Sequence, residues 1–181
     1  MEASNRAKLK LQELGRVSVD TYRSQSKLPV HIVLDNLRSG LNVGSFFRTC
    51  DSFALESIIL TGISPTPPHK EIHKSAIGAT DSVTHTYFES IDDAIDTLKV
   101  NGVTLIGIEQ TNQSVHLADF TWPEGPIAIV FGNEVEGVSA SIIHKLDYVV
   151  DLQQYGTKHS LNVAVCGGIV LWDAAKALRE R

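Results

Sequence analysis

Short apolar runs recur along the chain at Val30–Leu34, Ser57–Thr61, Val83–Phe88, Val103–Ile108, Ile127–Phe131 and Tyr148–Leu152. In Ile32-Val33-Leu34 and again in Ile127 to Phe131, consecutive positions are apolar rather than alternate ones, so such strands have to be covered on both faces. Residues with helical spacing fill most of the intervals between these runs. Strands alternating with helices predict an α/β domain of three layers around a mostly parallel sheet, over residues 30–181. Ahead of it, Leu9, Leu11 and Leu14 among good helix formers, stopped by Gly15, predict a helix over Ser4–Leu14. Ser24–Pro29 reads as a linker, which makes residues 1–29 an arm.

Composition narrows the class without naming a function. At 181 residues, 43% hydrophobic and 20% charged, the chain is one domain of ordinary make-up. A domain of this size buries roughly 70% of its unfolded surface, so it needs neither disulfides nor a metal, and Cys50 and Cys166 are free to be core residues. No run of about 18 apolar residues and no secretory leader pattern is present, which makes the cytoplasm the expected compartment. The net charge of −5 argues against a polyanionic partner until the chain is divided. Residues 1–30 carry six basic and three acidic groups, residues 31–150 six and fifteen, and residues 151–181 four and three. A basic arm on an acidic body is compatible with RNA, because binding follows the local field near the phosphates. Arg6, Lys8, Lys10 and Arg16 of the arm are the candidate contacts, and the same residues also fit a solvated amphipathic helix.

In parallel sheets ligands bind beyond the carboxyl ends of the strands, so the residues following them are the candidates for chemistry. Three segments stand out. After the first strand, Asp35 to Arg48 leads into a helix near Asn42 on which Asn42, Ser45 and Thr49 share a face and Phe46, Phe47 and Phe53 anchor to the sheet. Arg48 on that helix calls for an anion, either a phosphate or a carboxylate such as Glu134. After Phe131, Gly132-Asn133-Glu134-Val135-Glu136-Gly137 lacks the Lys-Ser/Thr ending of a phosphate-binding loop. It offers backbone groups to a flat ligand, or it is a tight strand-to-helix turn. The last strand leads through Lys158 and His159 to Ser160-Leu161-Asn162-Val163. There Ser160 caps an apolar helix expected to be largely buried, with Asn162 inside it needing partners. Gly167-Gly168 in the same helix implies close packing of another backbone, such as a subunit interface supplies.

Together these segments resemble the motifs of the SpoU (TrmH-like) RNA ribose 2'-O-methyltransferases of the SPOUT class. Asn42, Gly44 and Arg48 match its Asn-x-Gly-x-x-x-Arg. Gly132, Asn133, Glu134 and Gly137 match Gly-Asn-Glu-x-x-Gly, and Ser160 to Val163 match Ser-Leu-Asn-Val. The order and spacing cover about residues 30–175. Two positions depart: Gln153-Gln154 stand where the family commonly has Pro-Met, and Ala164 where it has a second serine. The resemblance implies a deep trefoil knot in the C-terminal half, S-adenosylmethionine as cofactor, a homodimer built partly on the last helix, and methylation of a ribose 2'-hydroxyl in tRNA or rRNA. A minimal catalytic domain with a short arm favours compact tRNA. Carried over residue by residue, Asn42 orients Arg48 or the ribose, and Ser160 and Asn162 take the RNA-facing and cofactor-facing sides. Arg48 stays cationic, pairs with a phosphate and stabilises the developing alkoxide, while a carboxylate (Glu134 is nearest by motif) or water takes the proton. Leu105, Gly107, Phe131, Gly132, Asn133, Gly137, Leu152 and Leu161 are the cofactor candidates, and Arg38 and Lys158 join the arm as RNA candidates.

Two other classes fit parts of this pattern. An RNA-binding or assembly module could keep the fold without catalysis, and a small-molecule nucleotide enzyme on an open sheet would be a monomer. His69 and His73, one helical turn apart beside Lys70 and Lys74, have no third ligand in sequence, so the reading is of no metal. His159 beside Ser160 is not set in a nucleophile elbow.

Overall fold

A computed structural model describes residues 7–181. The elements run α1 (Val19–Ser24), β1 (Leu28–Asp35), α2 (Gly40–Ser52), β2 (Leu55–Thr61), α3 (Lys70–Ala76), α4 (Ala79–Ser82) and β3 (His85–Phe88). They continue with α5 (Ile91–Val100), β4 (Thr104–Ile108), β5 (Val115–His116), β6 (Ile127–Phe131), α6 (Ala140–Ile143), β7 (Tyr148–Asp151) and α7 (Val163–Arg179). The seven strands form one sheet in the order β3-β2-β1-β6-β4-β7-β5, and every neighbouring pair is parallel. β6 therefore lies between β1 and β4, although it follows both in sequence.

The doubly apolar strands are covered on both sides. Ile32 and Leu34 of β1 pack with Phe46, Phe47 and Val43 of α2 and Val170 and Leu171 of α7. Val33, between them, packs on the other face with Leu98 of α5 and Ile142 of α6. This period-2 division builds the three layers, each fully buried Leu, Ile or Phe contributing about 1.5–3 kcal/mol. Both edges are short strands, four residues at β3 and two at β5, which limits unpaired sheet edge.

The N-terminal region differs from expectation. Residues 7–10 have no regular structure and Leu11–Leu14 form a single 3₁₀ turn, so the described part of the helix expected over Ser4–Leu14 is not formed, while residues 4–6 of that expectation lie outside the described residues. Ser24–Pro29 is not a linker. Ser18 caps α1, the Tyr22 hydroxyl of α1 donates to the Cys50 carbonyl at 3.3 Å, and β1 already begins at Leu28. Among the described residues no helix is long and apolar enough to cross a membrane, and no group of three His, Cys, Asp or Glu side chains is placed to hold a metal.

Candidate functional site

The three singled-out segments meet through side-chain hydrogen bonds. Glu134 accepts from the Arg38 and Ser39 backbone N–H groups at 3.0 and 3.3 Å and from Asn42 Nδ2 at 2.9 Å. Ser39 is the N-cap of α2, so the carboxylate sits where the helix offers orphan donors and the positive end of its dipole. Asn42 Oδ1 in turn accepts from Asn162 Nδ2 at 3.2 Å, and Asn162 Oδ1 accepts from the Ala164 and Val165 N–H groups at 2.9 and 3.2 Å. One relay, Glu134–Asn42–Asn162, thus ties the starts of α2 and α7 to the loop after β6. Partial burial pushes the Glu134 carboxyl up, but the hydrogen bonds from Arg38, Asn42 and Ser39 outweigh it and hold it below its ordinary value.

Beside this relay lies a cavity of about 380 Å³ beyond the carboxyl ends of β4, β6 and β7. Phe131, Gly132, Asn133, Gly137, Leu152 and Leu161 line it as the sequence suggested, together with Glu134, Ser160 and Asn162. Leu105 and Gly107 do not. Leu105 is fully buried and packs toward α5 and α6, the opposite face of the sheet. A Cβ at Gly107 would stand 2.4 Å from Leu146 Cδ1, so this glycine makes room for a core side chain and not for a ligand. The cavity begins one residue further along β4, at Ile108, Glu109 and Gln110.

Several site residues escaped the sequence reading. Glu109 lines the cavity and accepts from Val138 N–H at 2.8 Å, filling the space that a side chain at Gly137 would need. Asp35, fully buried at the end of β1, accepts from the Ser139 N–H at 2.7 Å and hydroxyl at 3.0 Å. Asn133 Nδ2 donates to the Asn36 carbonyl at 2.7 Å, and the Gly132–Gly137 segment closes on itself through an Asn133–Gly137 bridge. It is the tight turn, and the same segment lines the cavity. A Cβ at Gly132 would meet the Gly137 carbonyl carbon at 2.1 Å, so two backbones cross there as only glycine permits. Cys166 also lines the cavity; burial and then the charge on Glu109 push its thiol up to about 11.

Other expectations are corrected. Arg48 neither pairs with Glu134 nor lines the cavity. It is exposed, six residues beyond Asn42 on α2, in a separate hollow. Asn162 is not inside α7 but is its exposed N-cap, displacing Ser160 from that role. α7 is not buried all round: Val165, Ile169 and Trp172 are 54%, 43% and 54% exposed. Gly167 packs on the ring of Phe46 rather than on a backbone, and a Cβ at Gly168 would meet nothing of its own chain within 4 Å. Lys8, Lys10, Arg16, Arg38 and Lys158 are all exposed, and Arg6 lies outside the described residues.

Comparison with known proteins follows the same lines as the geometry. A family profile described as the SpoU rRNA Methylase family matches residues 29–172. The mouse tRNA (guanosine(18)-2'-O)-methyltransferase TARBP1 is 31% identical over 134 residues, 73% of this chain but 8% of that protein. The 23S rRNA (guanosine-2'-O-)-methyltransferase RlmB of Vibrio parahaemolyticus is 27% identical over 166 residues, 91% of this chain and 66% of that one. In fold, the chain is similar to the TrmH/SpoU tRNA modifying enzyme of A. aeolicus, with TM-score 0.78 and 23% identity, over 90% of this chain and 81% of that one. It is also similar to the AdoMet-bound rRNA methyltransferase of Sinorhizobium meliloti, with TM-score 0.77 and 24% identity, over 89% and 61%. The chain belongs to the SpoU rRNA Methylase family.

Proposed function

We propose that the chain transfers a methyl group from S-adenosylmethionine to a ribose 2'-hydroxyl of a structured RNA, with tRNA preferred over rRNA. The observation that carries this reading is the Glu134–Asn42–Asn162 relay at the rim of one cavity beyond the strand ends. The cavity volume lies in the range of small-molecule sites, and its lining fits the cofactor. Ile108, Phe131, Leu152 and Leu161 provide apolar walls for an adenine, and the carboxylates of Glu109 and Asp151 bring negative charge to a cationic ligand. When bound, the cofactor supplies an electrophilic methyl on a sulfonium cation. The apolar walls exclude water, which opposes the neutralisation of charge during the transfer, and the relay fixes the loops that hold the reactants in line. Ser160 and Asn162 stand at the RNA-facing and cofactor-facing sides of the rim. Glu134, held ionised with both oxygens engaged, is a positioning residue and a poor proton acceptor, so the hydroxyl proton passes to water. The tRNA preference is supported by the more identical mouse relative being named for tRNA.

A second copy completes this reading. Val165, Ile169 and Trp172, spaced four and three residues apart, make one exposed apolar stripe on α7 that suits a homodimer. Docking along it carries Arg48 of one copy to RNA held by the other, where the permanent guanidinium charge pairs with a phosphate and stabilises the developing alkoxide. The C-terminal half is further proposed to form a deep trefoil knot. The insertion of β6 between β1 and β4, and the return of α7 across β1 and α2, support that path. The test is incubation with total RNA and a labelled methyl donor, followed by mapping of ribose-methylated positions. Label on ribose in the tRNA fraction is expected. Label in no RNA fraction overturns the activity, and label in rRNA alone overturns the preference.

A further inference from the structure

Away from the cavity, α2, α3 and α7 enclose a second hollow, of about 470 Å³. Its polar lining is Ser45, Arg48, Thr49, Ser52, Lys74 and Ser75. Two cations from different helices line it and no carboxylate does, in a chain with 21 acidic and 16 basic residues. Among the described residues neither cation forms an ion pair; those that exist join Lys145 to Asp92 and Asp96, and His116 to Asp151. The hydroxyl protons are spent on helix carbonyls: Ser45 and Ser75 donate to Leu41, Thr49 to Ser45, and Ser52 to Arg48. The attraction of the hollow for an anion therefore rests on Arg48 and Lys74.

These two residues are held in register by an unusually close helix contact. A Cβ at Gly44 would meet Ser75 Oγ at 2.1 Å and the Ile72 carbonyl oxygen at 2.5 Å, so α2 and α3 touch backbone to side chain with nothing between them. Arg48 lies one turn beyond Gly44, and Lys74 precedes Ser75. A fixed pair made of a planar guanidinium and a mobile ammonium suits the spread charge of a phosphodiester. Gly168 completes the wall, and Ile169 next to it belongs to the exposed apolar stripe of α7.

We propose that Arg48 and Lys74 together form a phosphodiester-binding hollow for the RNA backbone flanking the methylated ribose, with Lys74 as a substrate-binding residue. This rests on the RNA methyl-transfer reading above. Binding of unfractionated tRNA, measured by fluorescence anisotropy across salt without methyl donor, tests it in the wild type and in Lys74→Ala, Lys74→Arg and Lys74→Glu. The alanine variant is expected to lower the slope of log Kd against log salt by about 0.7–0.9, so that its defect shrinks about threefold between roughly 50 and 200 mM salt. Arginine restores binding, and glutamate weakens it more than alanine does. In steady-state methyl transfer to the same tRNA, Lys74→Ala raises KM and leaves kcat within about twofold. An unchanged salt slope overturns the proposal. So does a change confined to the light-scattering mass, since Lys74 would then hold a carboxylate of a second copy. Should the wild type methylate no RNA, the activity reading falls by itself, and the salt slopes still decide the hollow.

Discussion

Glu134 and His31 perturb stability in separate pH windows. The hydrogen-bonded Glu134 carboxyl is held below its ordinary 4.5, so its contribution is present above that value and is lost on further acidification. His31, on β1, is held below its ordinary 6.5 by burial, against the opposing pull of Glu56, while Nδ1 lies 2.8 Å from Ser57 Oγ. Below pH 6.5 the unfolded chain binds the proton that the folded chain refuses, so stability falls as pH drops from 6.5 toward the folded value. Urea midpoints measured between neutral and mildly acidic pH are expected to decline in the wild type and to decline less in His31→Gln. Parallel curves for the two proteins would contradict this origin. Asn42, Glu134 and Asn162 were legible in sequence because each follows a strand end, where a polar residue in an apolar context has a reason to be there. Asp35 and Glu109 also stand at strand ends but fall outside the three motifs, and what they hold, the N–H groups of Ser139 and Val138, is set by the fold alone.

At the level of elements, α7 holds two adjacent glycines with opposite surroundings. A Cβ on Gly167 would come within 2.3 Å of Phe46 Cε1 and 2.6 Å of Cζ, and that ring is itself held at 4.9 Å from Phe131. Gly167→Ala is expected to cost about 1–3 kcal/mol, as overpacking does. Gly168→Ala meets nothing within 4 Å and is expected to stabilise by up to about 1 kcal/mol through helix propensity. Chemical denaturation of both variants measures the difference; equal effects would mean that the Phe46 contact is not what Gly167 serves. The glycine pair itself was visible in sequence, but which member was packed, and by what, depends on a ring 121 residues earlier. In the same way the six apolar runs gave the six longer strands to within a few residues. β5 escaped because its two residues are strand only by pairing with β7. The opposite error, a helix running from residue 7 to Leu14, came from counting leucines of which Leu9 is 66% exposed and Leu14 41%.

For the whole molecule, layers and parallel strands followed from apolar runs, whereas the strand order did not, because nothing in a run's composition says which neighbour it takes. The order decides the site. With β6 inserted between β1 and β4, the ends of β4, β6 and β7 come together around one cavity, and the start of α7 closes its rim while α2 is tied to that rim through Asn42. The α7 stripe carries the prediction for assembly. Ile169→Glu is expected to leave the thermal midpoint of the chain nearly unchanged, shift the light-scattering mass from two copies to one, and abolish methyl transfer. A monomeric wild type, or a monomeric variant with full activity, would remove the second copy from the reading. Phe46 has a consequence for biosynthesis. Because its ring lies between Phe131 and Gly167, the segment that supplies Val163 and Cys166 to the cavity has nowhere to rest until residues 28–131 have folded. On a translating ribosome the cavity therefore stays unwalled on one side until the stretch around Gly167 has cleared the exit tunnel, and its completion is a late event in the birth of each molecule.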